Sequence, residues 1–386
     1  MRSLVVRLIA ARAGALRMAL ASCLVAVASG CAEIPRLPAD APMAQRVSVF
    51  KEQADRALAK GVAPDGPGLA VVVRADGKVV YRAAAGMADI AAGQAIDERT
   101  PFELASLSKP VTAMAVLRLV DQGTIALADP VGKWIPELPP TWPAITIHQL
   151  LSQQSGIPDF MIRISSEELG SLDGLTNDGV IERLRNHPDL LFPPGTQSRY
   201  NNTNYVLLAE VVARATHMSF PQYLSTGIFA PLGLSSSFAQ GGEPGAAPAR
   251  ALDFGRTEST NGIRLRTVGP TGIWSSADDV SQLLQDLLAG RVLAPATVQA
   301  MTSPQSGQAV FEDGERYGYG WALPAAGKLV SVFAHAGQKD GFRTIAFVDV
   351  AHKLDYVILS NGGDATGAVM DRIRILFQTL LEQPNP

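Results

Sequence analysis

A serine hydroxyl and a lysine amine stand three residues apart in Phe102-Glu103-Leu104-Ala105-Ser106-Leu107-Ser108-Lys109, and in a helix those two side chains share one face. A serine is a poor nucleophile until a base takes its proton. An amine one turn away does this if burial or nearby cations lower its pKa. Val111, Met114, Ala115, Val116, Leu117, Leu119 and Val120 follow, so the segment reads as a helix buried on nearly every side and ending near Gly123. Ser106 then falls in the first turn, where unpaired N–H groups and the helix dipole favour an oxyanion. Pro110 removes a hydrogen bond to the Ser106 carbonyl, which predicts a local distortion of that turn.

Ser-x-x-Lys alone is a weak signal, since Ser48-Val49-Phe50-Lys51 matches it as well on an amphipathic helix. Ser106 differs in its company. Tyr200-Asn201-Asn202 is the only Tyr-x-Asn in the chain and His335-Ala336-Gly337 the only His-x-Gly. Tyr200 offers a second base, because a neighbouring ammonium favours phenolate, and the residues by themselves leave lysine and tyrosine both open for that task. His148, His187, His217 and His352 have no metal-ligand spacing, so neither a metal nor another cofactor is expected.

On these motifs the chain resembles the serine hydrolases of the penicillin-binding protein and class C β-lactamase type, which include D-alanyl-D-alanine carboxypeptidases, D-amino-acid peptidases and esterases. The likeness runs from about Gly66 to Gly362. It takes in Ile145 to Leu151, Ser155-Gly156-Ile157-Pro158, Phe192-Pro193-Pro194-Gly195, Pro231-Leu232-Gly233-Leu234 and Tyr319-Gly320-Trp321. The resemblance implies an acyl-enzyme on Ser106, with Asn202 holding Lys109 and the substrate amide. It further implies His335 and Gly337 on the far wall of the cleft, with the backbone N–H of Gln338 beside that of Ser106 as the two oxyanion donors. The β-lactamases of this type carry Lys-Thr/Ser-Gly where this chain has His335-Ala336-Gly337, which removes a fixed cation and a hydroxyl that grip a carboxylate. Arg343 or Lys339 is the available replacement. A D-amino-acid peptide bond or an ester is therefore the expected substrate, with β-lactam hydrolysis behind them. A reading of another class is an envelope lipoprotein that binds peptidoglycan fragments without turnover.

The elements that must position these residues can be read from periodicity. Val47, Phe50, Ala54 and Leu58 recur at helical spacing. Leu69 to Arg74 and Lys78 to Ala84 are strands joined by Ala75-Asp76-Gly77, a hairpin signal. Helices are expected over Thr146 to Pro158, Thr176 to Arg185, Asn204 to Ala215 and Phe220 to Phe229, then a loop at Gly241 to Pro248 and a helix over Ser276 to Leu288. Three antiparallel strands follow, Leu329 to His335, Phe342 to Val350 and Leu354 to Asn361, with a last helix over Val369 to Leu381. The order predicts an α/β (α+β) fold: an antiparallel sheet flanked by helices, from about 43–133 and 266–386, with an inserted helical lobe at about 134–265.

The net charge of −3 and pI near 6.0 show no basic stripe, so nucleic acid is not an expected partner. Arg2, Arg7, Arg12 and Arg17 precede an apolar run from Met18 to Gly30, which reads as a secretory leader over 1–30. Ala28-Ser29-Gly30-Cys31 resembles a lipoprotein cleavage box. Lipidation at Cys31, a proline-rich tether over 31–42, a hydrolase domain over 43–386 and a place in the cell envelope or periplasm are expected. Both cysteines, Cys23 and Cys31, lie in this region, so no disulfide braces the domain.

Overall fold

The computed structural model describes residues 37–38, 40–161, 172–242, 265–327 and 331–381. The leader, Cys31, much of the tether, most of the Gly241 to Pro248 loop and Leu329 lie outside the described residues. Helix α1 (Met43–Gly61) buries Arg46, Phe50, Ala54 and Leu58, one residue per turn. The Arg46 guanidinium donates to the Leu381 carbonyl at 2.7 Å and the Thr379 carbonyl at 3.3 Å, which ties the first helix to the chain's end.

Strands β1 (Leu69–Ala75) and β2 (Lys78–Ala85) turn through Asp76 and Gly77, both left-handed at φ 49° and 72°. The short pairs β3 (Met87–Asp89) and β4 (Gln94–Ala95) and the strand β5 (Phe102–Glu103) lead to a 3₁₀ turn, Ala105–Leu107. Helix α2 (Ser108–Asp121) begins only after that turn. Pro110 is thus in the first turn of α2, where its missing N–H had no intrahelical partner to lose, and the expected distortion takes the form of the 3₁₀ turn carrying Ser106. Gly123, at φ 72°, ends the helix as expected.

The helices that follow are set by their caps. Thr146 and Gln149 form a capping box on α3 (Ile147–Leu151), while Thr176 caps α4 (Asn177–Asn186) and Asn201 caps α5 (Asn202–Thr216). The helix expected to reach Pro158 stops at Leu151, because Gln153 (φ 64°) and Gly156 (φ 77°) turn the chain into a loop. After α6 (Phe220–Leu224), β6 (Phe238–Ala239) and β7 (Ile273–Ser275), Ser276 caps α7 (Ala277–Leu288); α8 (Pro295–Met301) follows.

The last third supplies β8 (Arg316–Tyr317), β9 (Ala322–Leu323), β10 (Val332–Lys339), β11 (Phe342–Asp349), β12 (Leu354–Ser360) and α9 (Gly367–Phe377). One seven-stranded antiparallel sheet runs in the order β2-β1-β12-β11-β10-β9-β8, with β5-β7-β6 as a small second sheet. Its strands come from both ends of the sequence. The strand expected to end at His335 continues to Lys339, because the hairpin needs only Asp340 and Gly341 between Lys339 and Phe342, with Asp340 left-handed at φ 53°. The His335-Ala336-Gly337-Gln338 run is therefore strand throughout.

Alternation along the central strands assigns their two faces. Phe347 and Tyr356 meet Phe377 of α9 edge to face, whereas Asp355 accepts from Gln285 of α7 and Thr344 donates to the Leu104 carbonyl beside Ser106. Helix α9 covers one face; α7 and the Ser106 turn cover the other.

Candidate active site

The turn presenting Ser106 is strained and held. Ala105 has φ 50°, a conformation costing a side-chain-bearing residue about 1–2 kcal/mol. The buried Glu103 carboxylate offsets this: Oε2 accepts from the Ala105 N–H at 3.0 Å and Oε1 from the Gly272 N–H at 2.6 Å. From Pro101 to Leu117 every residue is buried except Ser106, which is half-buried. Strand β10 passes close by. A Cβ on Gly337 would lie 2.4 Å from the Leu104 carbonyl oxygen and 2.8 Å from the Ser106 nitrogen, so only glycine fits. Gln338 follows it, exposed.

Lys109 is fully buried, and its Nζ has three partners: Ser106 Oγ at 3.2 Å, Asn202 Oδ1 at 2.9 Å and the Pro270 carbonyl at 3.2 Å. Asn202 Oδ1 and the Pro270 carbonyl only accept, so they take two N–H groups in either charge state. The third position of the nitrogen faces Ser106, as N–H in the ammonium and as a lone pair in the amine. Burial pulls the ammonium down to about 7, against the Asp159 and Glu103 carboxylates, so the amine is populated at neutral pH.

Tyr200 stands just before the α5 cap. Lys109 Nζ lies over the face of its ring, 4.7 Å from the centroid, and not at the phenol oxygen. The Tyr200 hydroxyl is shut off from solvent without a hydrogen-bond partner of good geometry. Burial holds this phenol well above its ordinary pKa, helped by Tyr317 and Asp159 and opposed by the Ser106 hydroxyl. The phenolate that a nearby ammonium was expected to favour is disfavoured overall.

His335 is 1% exposed, with both ring nitrogens engaged. Nδ1 is 2.8 Å from its own neighbour's carbonyl, Ala336 O, and a carbonyl only accepts, so the proton sits on Nδ1. Nε2 is then left to accept from the Tyr317 hydroxyl at 3.0 Å. Burial and the Lys109 charge push its pKa down to about 3, so the imidazole is neutral. Neither candidate replacement cation stands free on this wall. Lys339 Nζ lies 3.8 Å from buried Glu103, and Arg343 lies 3.5 Å from Asp364 beside Gly367, on the α9 face of the sheet.

The structure thus brings Ser106, Lys109 and Asn202 into one hydrogen-bonded set, places the Tyr200 ring beneath the lysine, and sets Gly337 against the serine turn. Residues 54–380 match the Beta-lactamase family. The chain belongs to that family. Esterase EstB of Burkholderia gladioli is 31% identical over 350 residues, covering 76% of this chain and 86% of the esterase. A penicillin-binding protein of Bacillus subtilis is 26% identical over 344 residues, covering 81% and 72% of the two chains. The crystal structure of a penicillin binding protein from Bacillus halodurans shares the fold, with a TM-score of 0.70 at 23% identity over 87% of this chain and all of that one. A member of this β-lactamase-type family with these relatives is a serine hydrolase.

Sequence reasoning missed three groups of this β-lactamase-family site. Glu103 lies inside the Phe102 to Lys109 stretch, three residues before Ser106, and Asp159 directly follows Pro158, so proximity to a motif was the available signal. The Pro270 carbonyl had none, because any residue carries one.

Proposed function

We propose that this hydrolase acts through an acyl-enzyme on Ser106 and prefers esters that carry no carboxylate near the scissile bond. Lys109, as the neutral amine, takes the Ser106 proton while Oγ bonds to the acyl carbon. The carbonyl oxygen collects charge beneath the Ser106 and Gln338 N–H groups, donors that contribute about 3–4 kcal/mol each in serine hydrolases. Collapse breaks the bond to the leaving oxygen, which takes the proton back from Lys109. Water, deprotonated by the same amine, then adds to the acyl carbon; the bond to Oγ breaks, Ser106 takes the proton from Lys109, and the acid leaves.

The observation that carries the preference is the far wall, where His335 is neutral and Lys339 lies against Glu103, while Arg343 pairs with Asp364 on the opposite, α9 face of the sheet. A substrate carboxylate there would lose water without gaining a free cation. Similarity to an esterase over 86% of its length supports the same choice over the peptidase and β-lactamase readings. Phenyl butyrate and 4-carboxyphenyl butyrate test it. With each rate scaled to its uncatalysed hydrolysis, kcat/KM should be about 100-fold higher for the uncharged ester; equal values, or a preference for the carboxylate, would refute the assignment.

We propose also that the chain is exported and anchored at Cys31, on the strength of the arginine-flanked apolar leader and the Ala28-Ser29-Gly30-Cys31 box. Radiolabelled palmitate should enter the wild-type protein and not Cys31→Ser in a bacterial host, and label retained by the variant would exclude this anchor.

A further inference from the structure

Asp159 is 6% exposed, and three N–H groups converge on it: Met161 N on Oδ1 at 2.9 Å, with Asn202 N at 3.0 Å and Asn202 Nδ2 at 2.9 Å on Oδ2. Among the described residues no lysine or arginine forms an ion pair with it. A neutral side chain would be cheaper to bury at this position. The consequence of having a carboxylate there lies in the Asn202 amide, whose two ends are chemically opposite. Burial raises this carboxyl, opposed by the three N–H donors and the Lys109 charge; as the carboxylate it only accepts, so the amide must turn Nδ2 toward Asp159 and leave Oδ1 on the other side. That Oδ1 is the atom 2.9 Å from Lys109 Nζ. A flipped amide would set N–H groups against the N–H groups of the lysine. Among the described residues the one other acceptor near Nδ2 is the Met161 sulfur at 3.7 Å, a weak one.

We propose that Asp159 is a positioning residue: it locks the Asn202 amide with its oxygen toward Lys109, so that the amine keeps its third hydrogen-bonding position for Ser106. The result is a chain of four side chains, Asp159 to Asn202 to Lys109 to Ser106, from the loop after α3, the start of α5 and the turn into α2. The inference rests on Ser106 as nucleophile and Lys109 as its base. The charged and titratable groups facing Lys109 are Glu103 from the serine turn, Asp159 from the loop, Tyr200 and Tyr205 at the start of α5, and His335 from β10.

The test is the rate at which a fluorophosphonate labels Ser106, measured against pH in the full domain for wild type, Asp159→Asn, Asn202→Ala and the double variant. Asp159→Asn should slow labelling between ~10-fold and ~100-fold. Its acid limb should move to lower pH, because an anion facing the Lys109 ammonium has gone; a loss of packing alone would leave that limb in place. In the Asn202→Ala background the same change should cost less than about 2-fold, since its target is absent. Wild-type labelling rates in Asp159→Asn, or a loss that multiplies undiminished in the double variant, would overturn the proposal. Asp159→Ser, smaller and also uncharged, carries the same comparison should Asp159→Asn not fold. A wild type that is unlabelled at Ser106 overturns the nucleophile assignment and this inference with it, whereas a labelled wild type with an unaffected variant overturns this inference alone.

Discussion

Lys109 donates to acceptors brought from three segments, and two of them fix its orientation so that whatever protonation change occurs is felt at Ser106. The serine and lysine were legible from their spacing together with two distant motifs. The choice between lysine and tyrosine as base was not, because it depends on how far the Lys109 amine and the Tyr200 hydroxyl are each shut off from water, which spacing does not give. Burial lowers the lysine and raises the tyrosine, so both shifts favour the amine. Sign and window follow: the working form of Lys109 is deprotonated, so kcat/KM should climb as pH rises through about 7 and level off above it. A rate already flat at pH 5 would count against Lys109 as base. Replacing it by methionine, similar in length and apolar, should keep the fold and lower kcat by at least ~10²-fold, read by steady-state kinetics alongside thermal melting.

At the scale of elements, the site is a junction between a strained turn and a strand, and the two are fitted to each other. The turn needs Glu103 to hold Ala105 at positive φ, and β10 needs Gly337 to pass beneath the Leu104 carbonyl. Gly337→Ala should therefore destabilise by about 1–3 kcal/mol and slow acylation more than any effect on KM; an active variant of unchanged melting temperature would show that the two elements are not in contact. Helix starts at α3, α4 and α7 were readable because Thr146, Thr176 and Ser276 are capping residues in plain view. The early stop of α3 was not, since it depends on Gln153 adopting φ 64°, which nothing in its residue type demands. The extension of β10 escaped notice for a similar reason, as Gln338-Lys339-Asp340-Gly341 reads as a turn until the pairing with β11 is known.

For the molecule as a whole, the central sheet is assembled from both chain ends, so its covering helices bury polar groups far from the site. Asp355 on β12 is one, 3% exposed, accepting from Gln285 of α7, with Arg74 as its nearest compensating charge. Burial pushes its carboxyl up to about 7. A carboxyl raised in the folded state favours the protonated form there, so its cost to stability is absent below the unfolded value near 4, grows as pH rises, and is complete above about 7. Asp355→Asn should accordingly flatten the fall in melting temperature between about pH 5 and pH 8 and raise stability at the upper end; an unchanged slope would contradict the shift. The fold class was visible in the order of strand and helix patterns, whereas the link from Arg46 to the Leu381 carbonyl was not, because a buried arginine on an amphipathic helix looks like an ordinary surface charge in sequence.

The central claim is the covalent intermediate on Ser106, and trapping it is the most direct test. Mass spectrometry of the domain after treatment with a fluorophosphonate, followed by peptide mapping, should place one adduct on the peptide containing Ser106 and none on Ser106→Ala, with ester hydrolysis lost in the treated protein and the variant alike. Hydrolysis that persists in Ser106→Ala, or an adduct on another residue with Ser106 unmodified, would contradict the account.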